Sequence, residues 1–337
     1  MKNLLNRLFQ HETLDRAEAR QVLLDISAGQ YKQAEIAAFI TVFQLRDIQL
    51  LELQGFRDAL LESCIQPNLG DDDAIDLCGT GGDAKDSFNI STLSAFVLAA
   101  AGYKVIKHGN YGVSSLCGSS NVLEALGYQF SKEESLLRAQ LEEHNICFLH
   151  APLFHPAMKS VASLRKDLGF RSFFNLLGPL VNPVQPSKQL VGVSDLKVMR
   201  LYQYLLQESG RDSFAIVHSL DGFDEVSLTA DFKMITRKGE AVFSPSDIYL
   251  DQTTEAAIAG GRTIAESATI FRNIISGAGT RAQNQVVAAN AGIALQQFQP
   301  EKPLYECILQ ALELLETGAA GTLFERLIKD QLVTHHS

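Results

Sequence analysis

The hydrophobic pattern of the chain changes near residue 70, and this change limits the folds open to it. Before that point, apolar residues in segments such as "AEIAAFITVFQLRD" recur every three or four positions, which is typical of helices. After it, short apolar runs alternate with helical segments, and "QPNLGDDD" between the two parts has the composition of a linker. Strands that alternate with helices predict a mainly parallel central sheet flanked by helices. The expected fold class is therefore α/β, with a small N-terminal helical domain before a larger α/β domain.

Five short apolar runs are the candidates for the parallel strands: "AIDLC", "YKVIKH", "ICFLHA", "QLVGVS" and "SFAIVHS". The segment "DFKMITRKGEAVFSP" predicts a hairpin whose turn is Lys238-Gly239. The C-terminal part of the chain is again mostly helical in pattern.

Charge and cysteine content restrict the partners of the chain. Its 337 residues carry a formal charge of −10, which disfavours binding to nucleic acid or to an anionic membrane. The five cysteines are widely spaced and form no CxxC pair, so we expect reduced thiols and no zinc site. The start, "MKNLLNRLFQHETL", lacks the sustained apolar core of a signal peptide, and no apolar run is long enough to span a bilayer. We expect a cytoplasmic protein that binds neither nucleic acid nor membrane.

The first strand candidate runs into a glycine loop, "GTGGD", and a helix follows from about Ile90. Ligands of parallel sheets bind at the carboxyl ends of the strands, glycines let the backbone come close, and helix N-terminal N–H groups attract anions. The loop fits neither GxxxxGK[ST] nor GxGxxG, so a nucleotide P-loop is not indicated. The alternative is structural: Asn89, Ser91 or Thr92 only caps the helix, and the glycines only make a turn.

A second loop of similar composition, "KHGNYGVSSLCGSS", follows the second strand candidate. It adds Lys107 and His108 to glycines and several serines. Two neighbouring loops rich in small donors, one with a lysine, suit a ligand with several phosphate groups. The alternative is an ordinary surface lysine and a structural histidine.

Asp224 and Glu225 follow the fifth strand candidate in "DGFDEVSL". A polyphosphate ligand normally arrives with Mg²⁺, which takes one or two protein carboxylates, and Ser91 is a further oxygen donor. Adjacent carboxylates on a loop are equally compatible with simple solvation. In "FHPAMKSVASLRKDLGFRS", the residues alone favour a solvated basic helix face for Arg165, Lys166 and Arg171, although Arg is also the side chain best shaped to bind a carboxylate.

Taken in order, "DLCGTGGDAKDSFNIST", "KHGNYGVSS", "HPAMK", "FNLLGPLVNP" and "DEVS" resemble the anthranilate phosphoribosyltransferases over nearly the whole chain. The resemblance implies a fold of the nucleoside phosphorylase/phosphoribosyltransferase type. Its helical domain would be residues 1–70, joined in space by helices from about 156–183, and its α/β domain residues 71–337. It also implies a cytoplasmic homodimer that uses Mg²⁺ to transfer the phosphoribosyl group of phosphoribosyl pyrophosphate to the amine of anthranilate, in tryptophan biosynthesis.

The resemblance also assigns roles to residues. For phosphoribosyl pyrophosphate it implies Gly79, Gly82, Asp83, Ser87, Asn89, Ser91, Thr92, Lys107, Ser115 and Ser119, with Ile90, Gly109 and Ser114 beside them. For anthranilate it implies Asn110, Arg165 and Gly178, with His108 and His155 as further candidates. Ser91, Asp224 and Glu225 would hold the metal, and Lys107 and Arg165 would be the catalytic side chains.

Two positions depart from the pattern of that family. The family commonly has Arg after KHGN, where this chain has Tyr111-Gly112, and this removes one cation beside the phosphates. The family often has Gly after GGD, where this chain has Ala84-Lys85. Lys85 is a candidate to replace part of the lost positive charge.

Two other functions are alternatives on sequence. One is a pyrimidine nucleoside phosphorylase, which shares the fold and uses inorganic phosphate; the GTGGD and KHGN segments disfavour it. The other is a catalytically silent relative that binds nucleic acid, which the charge of −10 and the Asp224-Glu225 pair disfavour.

Overall fold

The structure, a computed structural model, describes residues 1–70, 73–112 and 117–334. Two compact units divide the chain. Unit 1 comprises Met1–Pro67 and Ala151–Gln185, and unit 2 comprises Asn68–His150 and Pro186–Ser337. The domain boundaries expected from the sequence, residues 1–70 joined by 156–183 and residues 71–337, stay a prediction.

The elements follow one another in a regular order. Up to Gln185, the last residue of unit 1, they are α1 (Lys2–Phe9), α2 (Arg16–Ser27), α3 (Gln33–Leu45), α4 (Leu50–Ser63), β1 (Ala74–Gly79), α5 (Ile90–Ala100), β2 (Lys104–Gly109), α6 (Ser119–Ala125), α7 (Glu134–His144), β3 (Ile146–His150), α8 (Ala151–Phe154) and α9 (Lys159–Leu168). Beyond it they are β4 (Lys188–Gly192), α10 (Leu196–Glu208), β5 (Ser213–Ser219), β6 (Phe232–Thr236), β7 (Gly239–Phe243), α11 (Ile264–Ile275), α12 (Arg281–Gln296), α13 (Leu304–Glu316) and α14 (Ala319–Thr334). Short 3₁₀ turns lie at Pro156–Met158, Phe173–Leu176, Gly178–Leu180, Pro245–Ile248 and Glu255–Ile258.

Unit 1 is built around a cluster of phenylalanine rings. Phe39 and Phe43 project from α3, where helical spacing places them on one face, and Phe56 projects from α4. Phe173 joins them from the later segment of the chain: its ring stacks on Phe56 with centroids 4.5 Å apart and meets Phe43 at 4.8 Å. Buried aromatic pairs of this kind contribute about 0.5–1.5 kcal/mol each beyond their area burial. The cluster therefore holds the two segments of unit 1 together.

Unit 2 contains, within its described residues, a seven-stranded sheet in the order β3-β2-β1-β4-β5-β6-β7. Strands β1 to β5 pair in parallel, and β6 and β7 are antiparallel. The apolar helix α5 is buried nearly all round and packs against α12, as expected of a helix that is apolar on every side. The fold class expected from the sequence, a helical part and a mainly parallel α/β part, is confirmed.

The strand order reverses direction between β1 and β4. From β1 the chain proceeds outward to β2 and β3, then returns to β4 and continues to β5 on the other side. In open α/β sheets, ligands bind in the crevice at such a switch point, beyond the carboxyl ends of the strands. The topology therefore places the candidate site of unit 2 at the ends of β1, β2 and β4.

The hairpin of β6 and β7 forms where it was expected, but its turn differs by one residue. Thr236 pairs with Gly239, so Arg237 and Lys238 form the turn and Gly239 opens β7 with a φ of 143°. The predicted turn at Lys238-Gly239 was wrong because Gly239 belongs to the ladder. Separately, none of the helices in the described part of the chain is long and apolar enough to cross a membrane.

Candidate active site

Two glycines face each other at the switch point of the sheet. Gly79 ends β1 and is the register partner of Gly192, which ends β4. A Cβ on Gly79 would lie 2.2 Å from the carboxylate Oδ2 of Asp224, and one on Gly192 would lie 1.4 Å from the Asp224 backbone oxygen. Because neither glycine has a side chain, the ends of the two strands leave space for Asp224.

Substitution of these two glycines by alanine should have different effects, because the new methyl groups would meet different atoms. We expect Gly192→Ala to lower the free energy of unfolding by about 1–3 kcal/mol or more, because the new methyl group meets backbone that cannot rotate away. Gly79→Ala meets a carboxylate that can turn aside, so we expect it to reduce activity while unfolding changes less. Urea denaturation and steady-state kinetics on both variants measure the contrast. Equal loss of stability in the two variants would contradict it.

The carboxylates of Asp224 and Glu225 accept hydrogen bonds from the glycine loop and from helix α5. Oδ2 of the buried Asp224 accepts the Gly81 N–H at 2.6 Å, and the Asp224 N–H donates to Asp83 Oδ2 at 3.4 Å. Oε1 of Glu225 accepts the Ser91 N–H at 2.9 Å, in the first turn of α5. Burial, followed by the neighbouring carboxylates of Asp224 and Asp83, raises the pKa of Glu225 well above its ordinary value. Asp83 and Asp224 therefore lie near enough to Glu225 to disfavour its charged form.

Ser91, in the first turn of α5, contacts both Glu225 and Lys107. Its N–H donates to Glu225, and its Oγ lies 3.3 Å from the ammonium of Lys107 on β2. That ammonium is buried and also donates to the carbonyl oxygen of Leu77 on β1. Lys107 is therefore not the ordinary surface lysine of the alternative interpretation.

The first turn of α5 is not closed by a conventional cap. Asn89 is the N-cap residue, yet its side chain donates to the Cys117 carbonyl oxygen at 3.1 Å and makes no capping hydrogen bond. Ile90 and Thr92 are buried, and Thr92 Oγ1 has no hydrogen-bond partner among the described residues. The interpretation of these residues as a simple helix cap was wrong for Asn89. Its amide instead ties α5 to the second glycine loop.

The donor set at this point fits a hard divalent cation. Asp83, Asp224 and Glu225 supply carboxylate oxygens, and Ser91 supplies a hydroxyl. Mg²⁺ is held in proteins by one or two carboxylates and other oxygens. A cation would also offset the repulsion from Asp224 and Asp83, which adds to the effect of burial in raising the pKa of Glu225.

The first glycine loop has a strained but well-anchored backbone. Ala84 and Asp86 have positive φ values of 59° and 45°, which L-residues rarely adopt. The loop is anchored by the Lys85 N–H, which donates to Asp83 Oδ1 at 3.1 Å, and by the Gly260 N–H, which donates to the Asp86 carbonyl oxygen at 2.7 Å. Further along, Ser87 forms an isolated bridge with Ala259, while Gly82 has a φ of 71° within the loop itself.

Lys85 has its own partners in the structure. Its ammonium forms an ion pair with Glu255 and lies 4.8 Å from the centroid of the Phe223 ring. The suggestion that it replaces a cation beside the phosphates stays a prediction. In the structure, the Lys85 side chain joins the loop to Glu255 and to the Phe223 ring.

The second glycine loop packs onto the start of α6. A Cβ on Gly109 would lie 2.6 Å from Ser119 Oγ, which donates to the Asn110 carbonyl oxygen at 3.3 Å. Tyr111 donates from its hydroxyl to Glu124 at 2.8 Å, and its ring meets that of His150 edge-on at 4.7 Å. The expected sites Ser114 and Ser115 lie outside the described residues.

His108 lies on β2 and contacts the neighbouring strand β1. It is buried, and its N–H donates to Oδ1 of the buried Asp76 at 3.1 Å. These contacts agree with a structural histidine beside Lys107, and its expected role next to the acceptor stays a prediction.

Unit 1 carries the remaining expected residues, Arg165, His155 and Gly178. Arg165 is half-buried: its guanidinium lies over the Phe174 ring, 5.2 Å from the centroid, and one nitrogen is 3.5 Å from Asn175 Oδ1. Burial lowers the pKa of Arg165 from its ordinary value. His155 is buried with Nε2 2.9 Å from the Val181 carbonyl oxygen. Gly178 is exposed at the start of a 3₁₀ turn.

The solvated basic face that the residues alone favoured is only partly correct. Lys166 and Arg171 are exposed, but Arg165 is packed against an aromatic ring. The helical pattern around Arg165 does not indicate this contact, because Phe174 lies beyond the end of α9. An aromatic platform leaves the outer edge of a guanidinium available for bidentate recognition of a carboxylate.

Two residues of the site were missed from the sequence, Gly81 and Gly192. Gly81 was passed over within GTGGD, although its N–H is the donor to Asp224. Gly192 had a signal: a glycine inside the strand candidate "QLVGVS" often marks close backbone approach.

Family models and relatives match both parts of the chain. Residues 2–64 match the helical bundle domain of a glycosyl transferase family, and residues 71–321 match the a/b domain of that family. Anthranilate phosphoribosyltransferase from Christiangramia forsetii is 51% identical, over 98% of this chain and 99% of the relative. The enzyme of the same name from Cytophaga hutchinsonii is 50% identical, over 98% of this chain and all of the relative.

Solved structures agree with these relatives. The crystal structure of anthranilate phosphoribosyltransferase from Thermus thermophilus is 32% identical, with a TM-score of 0.89 over 96% of this chain and 98% of that chain. The Saccharomyces cerevisiae enzyme in complex with PRPP and Mg shares the fold, with a TM-score of 0.87 at 24% identity over 96% of each chain. Sequence identity near one half over almost the full length, together with the glycine loops and the acid pair, shows that the chain belongs to the anthranilate phosphoribosyltransferase family.

Proposed function

We propose that this protein transfers the phosphoribosyl group of phosphoribosyl pyrophosphate to the amine of anthranilate, giving N-(5-phosphoribosyl)anthranilate and pyrophosphate. This is the second step of tryptophan biosynthesis. The observation that supports it most directly is the position of Ser91, where the start of α5, the Lys107 ammonium and the Glu225 carboxylate meet. The Lys107 ammonium and the N-terminus of α5 can bind an anion there, and the Glu225 carboxylate can bind a cation. A pyrophosphate with a bound metal ion requires both.

The donor-binding side belongs to unit 2. The ammonium of Lys107 and the backbone N–H groups of Gly81 and Ser91 are the groups proposed to bind the pyrophosphate. In the structure, those two N–H groups donate to the Asp224 and Glu225 carboxylates, so the pyrophosphate oxygens would take the place of the carboxylates there. The glycines at 79, 81 and 82 allow the chain to approach the ligand. Asn89, Thr92 and Ser119 are proposed to add hydrogen bonds to the ribose and the phosphates.

In the reaction, the nitrogen lone pair of anthranilate forms a bond to ribose C1 while the bond from C1 to the pyrophosphate oxygen breaks. The pyrophosphate leaves with that electron pair, and the amine releases one proton to solvent. An aromatic amine is unprotonated near neutral pH, so no strong base is required. The main task of the protein is to stabilise the charge that develops on the leaving group, by donors that are already in position. The buried ammonium of Lys107 has that role.

Asp224, Glu225 and the Ser91 hydroxyl are proposed to hold Mg²⁺. The bound ion supplies charge neutralisation for the pyrophosphate. The carboxylates of Asp224 and Asp83 support this assignment, because after burial they are the next causes that raise the pKa of Glu225, where a cation would lower it.

Arg165 is proposed to bind the carboxylate of anthranilate. The Phe174 ring and Asn175 hold its guanidinium, so little side-chain entropy is lost when a planar carboxylate binds. Asn110, Gly178, His108 and His155 are proposed neighbours of the acceptor. Orientation of two substrates can contribute about 7–11 kcal/mol in favourable intramolecular reactions.

We expect Arg165→Ala to raise KM for anthranilate by about 10-fold or more, because a hydrogen bond to a charged group is worth about 1.5–3 kcal/mol. The KM for phosphoribosyl pyrophosphate should change little. Lys166→Ala, an exposed cation on the next residue, is the matched control. If Arg165→Ala raised only the donor KM, the assignment of the two substrates would be reversed.

The overall reaction is tested by following anthranilate fluorescence with purified protein, phosphoribosyl pyrophosphate and Mg²⁺. The chain has no Trp, so indole emission does not interfere. Fluorescence should fall only when all three components are present. Thymidine with inorganic phosphate should give no product. Product there, with anthranilate unchanged, would show a nucleoside phosphorylase instead.

Two finer statements rest on the resemblance. We propose that the protein is a homodimer and that it acts in the cytoplasm. Large apolar side chains exposed on unit 1, such as Leu45 and Leu51, support an interface there. Sedimentation at several concentrations should give about twice the mass of the chain, and a monomer throughout would exclude the dimer.

A further inference from the structure

Helix α12 contacts the residue after the Asp224-Glu225 pair through the buried side chain of Asn290. Asn290 is 2% exposed, and its neighbours along α12 are almost all apolar and buried. Its Oδ1 accepts the Val226 N–H at 3.1 Å, and its Nδ2 donates to the Val226 carbonyl oxygen at 2.9 Å. The amide thus pairs with both backbone polar groups of the residue that follows Glu225.

The other side of the same peptide bond is held by a serine. Ser219, fully buried at the end of β5, donates from Oγ to the Glu225 carbonyl oxygen at 2.7 Å. The Glu225 carbonyl and the Val226 N–H belong to one peptide plane. In this loop, two side chains from distant elements satisfy that plane, where a sheet ladder would satisfy it in a strand.

The serine itself is fixed by its surroundings. Its Oγ accepts the Ser227 N–H at 3.1 Å, and the Ser227 hydroxyl also donates to it at 3.1 Å. Asn290 Nδ2 is likewise fixed, since it donates to the Val286 carbonyl oxygen one turn earlier in α12 at 2.9 Å. The side chains of Asn290 and Ser219 therefore have defined positions, and their hydrogen bonds fix the peptide group between Glu225 and Val226.

We infer that Asn290 and Ser219 are positioning residues for the metal site, because they set the peptide plane from which the Glu225 carboxylate is aimed. This inference rests on the proposed role of Asp224 and Glu225 in holding Mg²⁺. Groups that orient metal ligands from outside typically change metal affinity by about 10–100-fold when they are removed.

The test measures metal binding directly, by electron paramagnetic resonance of Mn²⁺ titrated into protein saturated with pyrophosphate. Asn290→Ala should weaken Mn²⁺ binding by about 10-fold or more, and excess Mg²⁺ should restore much of its turnover. The matched control is Asn284→Ala, which also removes a buried Asn from α12 but one that faces Gly279. Thermal unfolding of both variants distinguishes loss of the fold from displacement of the Glu225 carboxylate in a folded protein.

Unchanged Mn²⁺ binding in folded Asn290→Ala, or an equal shift in Asn284→Ala, would overturn the inference. If Asn290→Ala does not fold, Ser219→Ala decides, since it removes a single hydroxyl. A several-fold weaker Mn²⁺ affinity supports the inference there, and an unchanged affinity overturns it. A wild-type protein that binds no Mn²⁺ with pyrophosphate would overturn the metal site itself, and the positioning role with it.

Discussion

Replacing Asp224 and Glu225 by their amides should abolish most turnover and, at the same time, strengthen the binding of pyrophosphate without metal. Turnover with Mg²⁺ should fall by about 100-fold or more in Asp224→Asn or Glu225→Gln, because a cation at the leaving group is worth several kcal/mol. The opposite effect has a local cause. The two carboxylates lie on the Gly81 and Ser91 N–H groups, where an anionic ligand is proposed to bind.

Asp224→Asn removes one negative charge beside those N–H groups, whereas Glu225→Gln removes less charge because burial and the neighbouring carboxylates raise the pKa of Glu225. We expect metal-free pyrophosphate to bind about tenfold more tightly, which is about 1.4 kcal/mol, since like charges placed together are costly. Isothermal titration calorimetry with a chelator present measures this. Glu240→Gln, on the edge strand β7, is the control for net charge. Weaker metal-free binding in both amide variants would show that the carboxylates do not compete with the ligand.

Lys107→Ala should lower kcat by about 10²–10³-fold, the usual effect of removing a preorganised group that stabilises a developing anion. Its ammonium is buried and is held by the Leu77 carbonyl and the Ser91 hydroxyl, so it cannot be replaced by a mobile surface lysine. Added Mg²⁺ should not restore the rate. Steady-state kinetics with both substrates at saturation measure the effect.

Lys104→Ala is the matched control, because Lys104 begins the same strand on which Lys107 lies nearer the carboxyl end. Circular dichroism should show both variants folded at the assay temperature. A folded Lys107→Ala variant that turns over within about threefold of wild type would refute a role for the ammonium in stabilising the leaving group.

Much of the fold followed from local pattern. The helical spacing before residue 70 and the alternation after it depend on neighbouring residues, and so do the glycine loop and the start of α5 at Ile90. The hairpin turn was misplaced by one residue because Gly239 enters the ladder of β6 and β7. That register depends on the pairing partner, which a single segment does not specify.

The site was predicted less completely, since its contacts join residues far apart in the chain. Gly81 and Asp224 are separated by 143 positions, and Ser91 and Glu225 by 134. The environment of Arg165 also came from outside its own helix, through the ring of Phe174. Spacing along one helix could suggest a basic face but could not show which residue would be packed against an aromatic ring.

The α/β class, the two glycine loops, the Asp224-Glu225 pair and the resemblance to the family could all be predicted, because each depends on short contiguous stretches of residues. Only in the folded chain do Gly79 and Gly192 become neighbours and make room for Asp224, and only there does Ser91 contact both Lys107 and Glu225. The hydrogen bonds of Asn290 and Ser219 to the peptide after Glu225 likewise depend on the fold. The physical reason is that strand order and register choose which distant residues become neighbours, and each short segment by itself is compatible with many such choices.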